Sequence, residues 1–156
     1  MDEDKKLYLV AARFLSYRPR SEKEIRDKLI RKNAPLEVIN KVIAKLTEQK
    51  FLNDLEFAKM WMESRIRVRG KSLRIIKLEL KQKGISNDII DSLIHNSELL
   101  IQDENTAQRL VEKKIEKYRH LTKQEIYQKL GGFLARRGFD WDTIKHSIDE
   151  ELGKRV

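Results

Sequence analysis

Apolar residues recur at helical spacing along this chain, and the points where the pattern stops recur as well. Leu7, Val10, Ala11, Phe14 and Leu15 make one helical stripe, and its helix is predicted to end near Arg18 because the residue before Pro19 is pushed out of the α region. Ser21 and Glu24 form a Ser-x-x-Glu capping box that opens a second helix through Lys32. Pro35, placed at the first helical position, restarts a third helix whose inward face is Ile39, Val42, Ile43 and Leu46. The same order returns downstream. Asn53 and Asp54 are N-cap residues, and Phe57, Met60, Trp61 and Ser64 follow at the i, i+3, i+4, i+7 spacing of a buried stripe. Ile76 and Leu80 share one face of the next helix, and Ile89, Ile90, Leu93 and Ile94 supply the apolar positions of another.

Residues 97–103 read as a linker, after which Ala107, Leu110, Val111, Ile115 and Tyr118 form a further stripe. Thr122 and Glu125 repeat the capping box, and the helix they open carries Ile126, Leu130, Phe133 and Leu134, one turn longer at its start than its counterparts. Gly131 and Gly132 inside it predict a kink or a close helix contact, since each lowers helix propensity by roughly 1 kcal/mol relative to Ala. Trp141, Ile144 and Ile148 mark the last helix, and both Trp141 and Trp61 are read as core.

Three helix stops align the copies: Asn33, Gly84 and Gly138, each suited to a left-handed residue just past a helix. Four and eight residues before each stop lie Leu29 and Ile25, Leu80 and Ile76, Leu134 and Leu130; six residues after lie Ile39, Ile90 and Ile144. Spacings of 51 and 54 residues between stops define a repeat of three helices. The expected fold is all-α, with three tandem three-helix repeats at 1–53, 54–103 and 104–156 stacked into an elongated, curved array. Such an array offers a long surface rather than a deep pocket, which weighs against an enzyme.

Composition and charge sharpen this reading. Charged residues make up 38% and aromatics 7%, with net charge +9, so nucleic acid, an acidic protein surface or anionic lipid is the expected kind of partner. The chain has no cysteine, hence neither a disulfide nor a thiolate metal site, which fits a cytoplasmic protein. Leu7 to Leu15 is interrupted by Arg13 and supports neither a signal peptide nor a membrane span. His95, His120 and His146 have no partner at i+3 or i+4, and no phosphate-binding glycine loop occurs, so no cofactor, metal or catalytic group is nominated.

One cluster stands out. Between positions 65 and 83, Arg65, Arg67, Arg69, Lys71, Arg74, Lys77, Lys81 and Lys83 oppose Glu79 alone. Most charge runs are solvated helix faces, but elsewhere this chain mixes its signs, and the partner-binding reading is preferred here. Arg65, Arg67 and Arg69 point to one side if extended and spread round the axis if helical. Arg136 and Arg137 stand before Gly138 as Gln82 and Lys83 stand before Gly84, although cations in a last helical turn also offset the macrodipole.

The run Asn53-Asp54-x-x-Phe57-Ala58-x-x-Trp61, followed by Arg65, Gly70 and Glu79-Leu80-x-x-Lys83-Gly84-Ile85, resembles the central signature of the RecX family of bacterial recombination regulators. Arg20-Ser21-Glu22-x-Glu24-Ile25-x-x-Lys28-Leu29 resembles the family's first repeat, and Leu134-x-Arg136-Arg137-Gly138-Phe139 its third. Asn33 with Ala34 departs from the family's usual Lys-Gly stop, though Asn tolerates the left-handed conformation. The resemblance implies tandem three-helix repeats in a curved arrangement. It also implies a protein that binds the RecA–DNA filament and restrains its recombinase, ATPase and coprotease activities, and a non-catalytic monomer is expected. Arg65, Arg67, Arg69, Lys71, Arg74, Lys81, Lys83, Arg136 and Arg137 are then the residues expected to meet filament or DNA. The alternative is an autonomous helix-turn-helix DNA-binding protein, against which stands the lack of a helix with clustered Asn, Gln or Arg base readers.

Overall fold

A computed structural model describes residues 2–154, with the backbone but not the side chains described at 96–100. Among the described residues there are nine α-helices and no strand. They are α1 (Glu3–Tyr17), α2 (Glu22–Arg31), α3 (Leu36–Glu48), α4 (Asp54–Arg67), α5 (Leu73–Gln82), α6 (Asn87–Leu93), α7 (Asn96–Lys114), α8 (Lys123–Arg136) and α9 (Trp141–Gly153), with a 3₁₀ turn at Ile115–Tyr118. The all-α class and the threefold repetition of three helices are as the spacing predicts. The repeat offsets survive in full: Ile25, Leu29, Ile76, Leu80, Leu130 and Leu134 are all completely buried, and Ile39, Ile90 and Ile144 nearly so.

The three stops are one motif. Asn33, Gly84 and Gly138 have φ of 60°, 78° and 94°. At each, the stop residue's N–H reaches the carbonyl three residues back, and the next residue's N–H reaches five back: Ala34 to Leu29, Ile85 to Leu80, Phe139 to Leu134. This is the Schellman arrangement, which satisfies the last carbonyls of a helix and places an apolar residue back over it. Two further left-handed residues, Lys50 (φ 65°) and Gly70 (φ 61°), end α3 and the α4 turn.

Packing divides the described chain into two units. The first takes the residues up to Trp61 together with Glu79–Leu93, and the second takes Met62–Leu78 and the chain from Ile94 onward. In the first, α1, α2 and α3 pack mutually around Leu7, Ala11, Ile25, Leu29, Ile39, Val42, Ile43, Leu46 and Leu52. In the second, α7, α8 and α9 pack around Ala107, Val111, Ile115, Ile126, Leu130, Leu134, Phe139, Ile144 and Ile148. The middle copy is shared: α4 and α5 each contribute to both units.

Several expectations need correction. Residues 97–103 are not a linker, because they lie inside α7. The run from Ile85 to Leu130 holds no Gly or Pro, so nothing in the segment breaks a helix. The side chains at 97–100 lie outside the described ones. Pro35 is the N-cap of α3 rather than its first residue. Trp141 is 57% exposed, because it opens α9 and lies across α8, where a Cβ on buried Gly131 would sit 3.8 Å from its ring. The glycine pair therefore admits a close helix contact, and α8 continues through it. Ser64, placed on the buried stripe, is exposed.

Candidate partner-binding surface

Each unit contains a junction in which the N-terminus of one repeat's second helix meets the C-terminal stop of the next repeat's second helix. In the first unit, Ser21, fully buried, accepts from the Glu24 N–H at 3.3 Å and donates its hydroxyl to the Lys83 carbonyl at 2.7 Å. The Glu22 N–H, which has no partner within α2, donates to Asp54 Oδ1 at 2.8 Å. In the second unit, buried Ser72 accepts from the Ile75 N–H at 3.3 Å, and its own N–H donates to the Arg137 carbonyl at 3.0 Å. The Leu73 N–H donates to Asp103 Oδ1 at 2.9 Å. Ser21 and Ser72 both stand twelve residues before a stop, so the junctions are counterparts.

Burial raises the pKa of both aspartates, partly offset by the N–H each accepts; the Glu22 carboxylate adds to the effect on Asp54 and Asp140 to that on Asp103. Asp54 therefore does not cap its own helix. Asn53 does that, accepting from the Glu56 N–H at 3.1 Å.

The predicted cations sort by what the fold asks of them. In the second unit, α4 runs through Arg67, so Arg65 and Arg67 are helical and spread round its axis. Arg65 is half-buried with its Nε sealed from solvent. Arg67 is exposed and pairs with Glu63 at 2.7 Å. Arg74 donates to the Gly138 carbonyl at 3.3 Å, and Arg137 donates to the Arg69 carbonyl at 3.0 Å while lying 4.4 Å from the Phe133 ring centre. Exposed Arg69 and Arg136 and half-buried Lys71 make no side-chain hydrogen bond or ion pair among the described residues. In the first unit, Lys81 is exposed, whereas Lys83 lies 5.1 Å from the Trp61 ring and 4.0 Å from Glu24.

Sequence reasoning missed Arg109, whose guanidinium donates to the Ile66 carbonyl at 2.8 Å and the Arg67 carbonyl at 3.3 Å, closing the end of α4 where the helix dipole is negative. It also missed Arg18 and Arg20, which with Lys83 ring the largely buried Glu24. The contacts of Arg109, and that of Lys83 with Glu24, join residues far apart in the chain, and only the repeat register, which sets Ser21 on Ser72, hints at them. Among the described residues no group of His, Asp or Glu is placed to hold a metal ion, and no helix is long and apolar enough to cross a membrane.

Three Schellman-ended helices, with buried serines and half-buried aspartates joining one repeat to the next, define a tandem three-helix repeat protein. Family models agree copy by copy: the first three-helix domain of RecX matches residues 8–46, the second 53–94 and the third 102–148. Proteins named Regulatory protein RecX are 37% identical over 151 residues in Bacillus velezensis and 37% over 150 in Bacillus subtilis, covering 96% of this chain. One in Streptomyces lividans is 30% identical over 146 residues, covering 91% of this chain and 77% of its own length. The crystal structure of RecX from Lactobacillus salivarius superimposes with a TM-score of 0.76 at 28% identity, covering 94% of this chain and 95% of its own. This chain belongs to the RecX family. It spans 56% of the length of the two Bacillus relatives.

Proposed function

We propose that this chain is a regulator that binds the RecA filament on DNA and restrains it without chemistry of its own. The observation that carries this is the division of labour within the cationic cluster. Arg74, Arg109 and Arg137 hold backbone carbonyls around the α4–α5 turn and the junction beside it. Arg67, Arg69 and Arg136, from the same unit, are exposed and hold no backbone carbonyl among the described residues, and Arg74 is exposed as well. Exposed cations of one sign favour a partner carrying phosphate or carboxylate, and a nucleoprotein filament carries both. Lys71 belongs to the same surface, and exposed Lys81 extends the reading to the first unit. Arg65 and Lys83 are assigned a positioning part, since both are half-buried.

The test is retention on immobilised single-stranded DNA with RecA, with and without the nucleotide that assembles the filament. Retention well above that on bare DNA once the filament assembles is the expected result. Equal retention on bare DNA would replace this reading with that of an autonomous DNA-binding protein.

A further inference from the structure

The first repeat carries a cationic cavity that none of the predicted site residues touches. It has a volume of about 400 Å³ and is lined by Val10, Arg13, Phe14, Tyr17, Arg20, Lys28 and Lys32. Four of these are cations and two are aromatic; none is acidic. Arg20 is committed to the fold, stacking 3.7 Å from the Phe14 ring centre and donating to the Phe14 carbonyl at 3.2 Å. Lys28 lies 5.1 Å from the same ring, and neither it nor Lys32 makes a hydrogen bond or ion pair among the described residues. Glu24, one turn before Lys28 on α2, is already engaged by Arg18 and Arg20, and Asp27 by Lys23. Lys28 in α2 and Lys32 at its C-cap are four residues apart, an arrangement that like charges disfavour unless an anion lies between them. Tyr17, 70% exposed, offers a ring at the edge of the cavity and holds Arg13 Nε at 3.4 Å.

We infer that this cavity is a nucleotide site, with phosphate held by Lys28, Lys32 and Arg13 and the base laid on Tyr17. Phosphate wants unpaired cations, a base wants an aromatic face, and the volume suits one nucleotide. The nucleotide can belong to a single strand or be free in solution, and the chemistry at the site is the same. The site stands apart from the filament reading, because it is tested without any recombinase.

The experiment measures fluorescence anisotropy of the full chain with two probes, a labelled short oligothymidylate and a fluorescent ATP analogue, across a salt series. The double variant K28A/K32A is expected to weaken binding at least about tenfold and to flatten the oligonucleotide's log–log salt slope by about 1.4, two single-strand phosphate contacts' worth. Y17A is expected to weaken binding severalfold with the slope unchanged. K113A/K117A removes the same charge from exposed positions in the other unit and serves as the control. A loss confined to the oligonucleotide supports the site with a strand as its source, and a loss confined to the ATP analogue supports it with a free nucleotide. Failure of both probes to bind the wild type, or an equal loss in the control, overturns the inference.

Discussion

The two junctions use one backbone plan and opposite chemistry. Nine residues before the stop, the first carries Glu24, largely buried among Arg18, Arg20 and Lys83, while the second carries Ile75 at the same place. Behind each lies the next repeat's glycine. A Cβ on Gly84 would come within 2.6 Å of the Lys23 side chain, and one on Gly138 would overlap Ile75 and reach 2.5 Å from Ser72 Oγ. Asn33 occupies the equivalent stop in the first repeat and is exposed, with no helix N-terminus over it among the described residues. That explains the departure from glycine there: the left-handed conformation alone admits Asn, whereas conformation and a covering helix together require Gly. A repeat position is thus constrained by what covers it as much as by its own backbone.

The largest expected effect separates these stops. Gly138→Val adds strain at positive φ to a collision with a branched side chain, and should destabilise by more than about 3 kcal/mol. Gly84→Val should fall near about 2 kcal/mol, since Lys23 approaches less closely there than Ile75 approaches Gly138, and Asn33→Gly should stay within a few tenths of zero. Chemical unfolding of the three variants checks the order, and equal losses at 84 and 138 would remove the distinction.

Next come the aspartates. Asp54→Ala and Asp103→Ala each leave a helix-terminal N–H without its acceptor and should destabilise by about 1 kcal/mol, again read by chemical unfolding. Their pH dependence runs opposite to that of an ordinary paired carboxylate. Because burial raises the folded pKa above its unfolded value, the folded state binds the proton more tightly. The contribution of these groups is therefore greatest below the unfolded pKa and declines as pH rises through the folded one. Asp103→Asn keeps an acceptor and loses the titration, so it should compare better with wild type at neutral pH than near pH 3 in a series of unfolding curves.

An effect of similar size tests the polar junction. Glu24→Gln keeps the capping geometry but leaves Arg18, Arg20 and Lys83 facing one another, and should destabilise by about 1–2 kcal/mol, more at low salt than at high. Added salt should leave the Ile75 junction unchanged.

The stops and stripes were legible because they depend on local conformation: Leu29, Leu80 and Leu134 had to fall four residues before a left-handed residue, whatever they packed against. The left-handed Lys50 was not legible, since lysine carries no signal for that conformation. The cationic site was half legible. Charge density marked Arg65 to Lys83, but density does not distinguish Arg69, whose side chain makes no hydrogen bond among the described residues, from Arg74, whose guanidinium holds the Gly138 carbonyl. Arg109 had no local signal, because its role is set by carbonyls forty-two and forty-three residues away. Trp141 was misplaced because its stripe was right and its position in the helix was not: a first-turn residue can lie on the apolar face and still project beyond the neighbouring helix.

The smallest expected effect on folding is the one that bears most on function. The triple variant R67E/R69E/R136E reverses three exposed cations and should leave thermal unfolding nearly unchanged, apart from the exposed Arg67–Glu63 pair, worth less than about 1 kcal/mol. Strand exchange by RecA, measured with wild type and triple variant over a salt series, tests the account most directly. The account predicts inhibition by the wild type that weakens with salt, and loss of inhibition by a triple variant that keeps its helical spectrum. Full inhibition by that well-folded variant would contradict it.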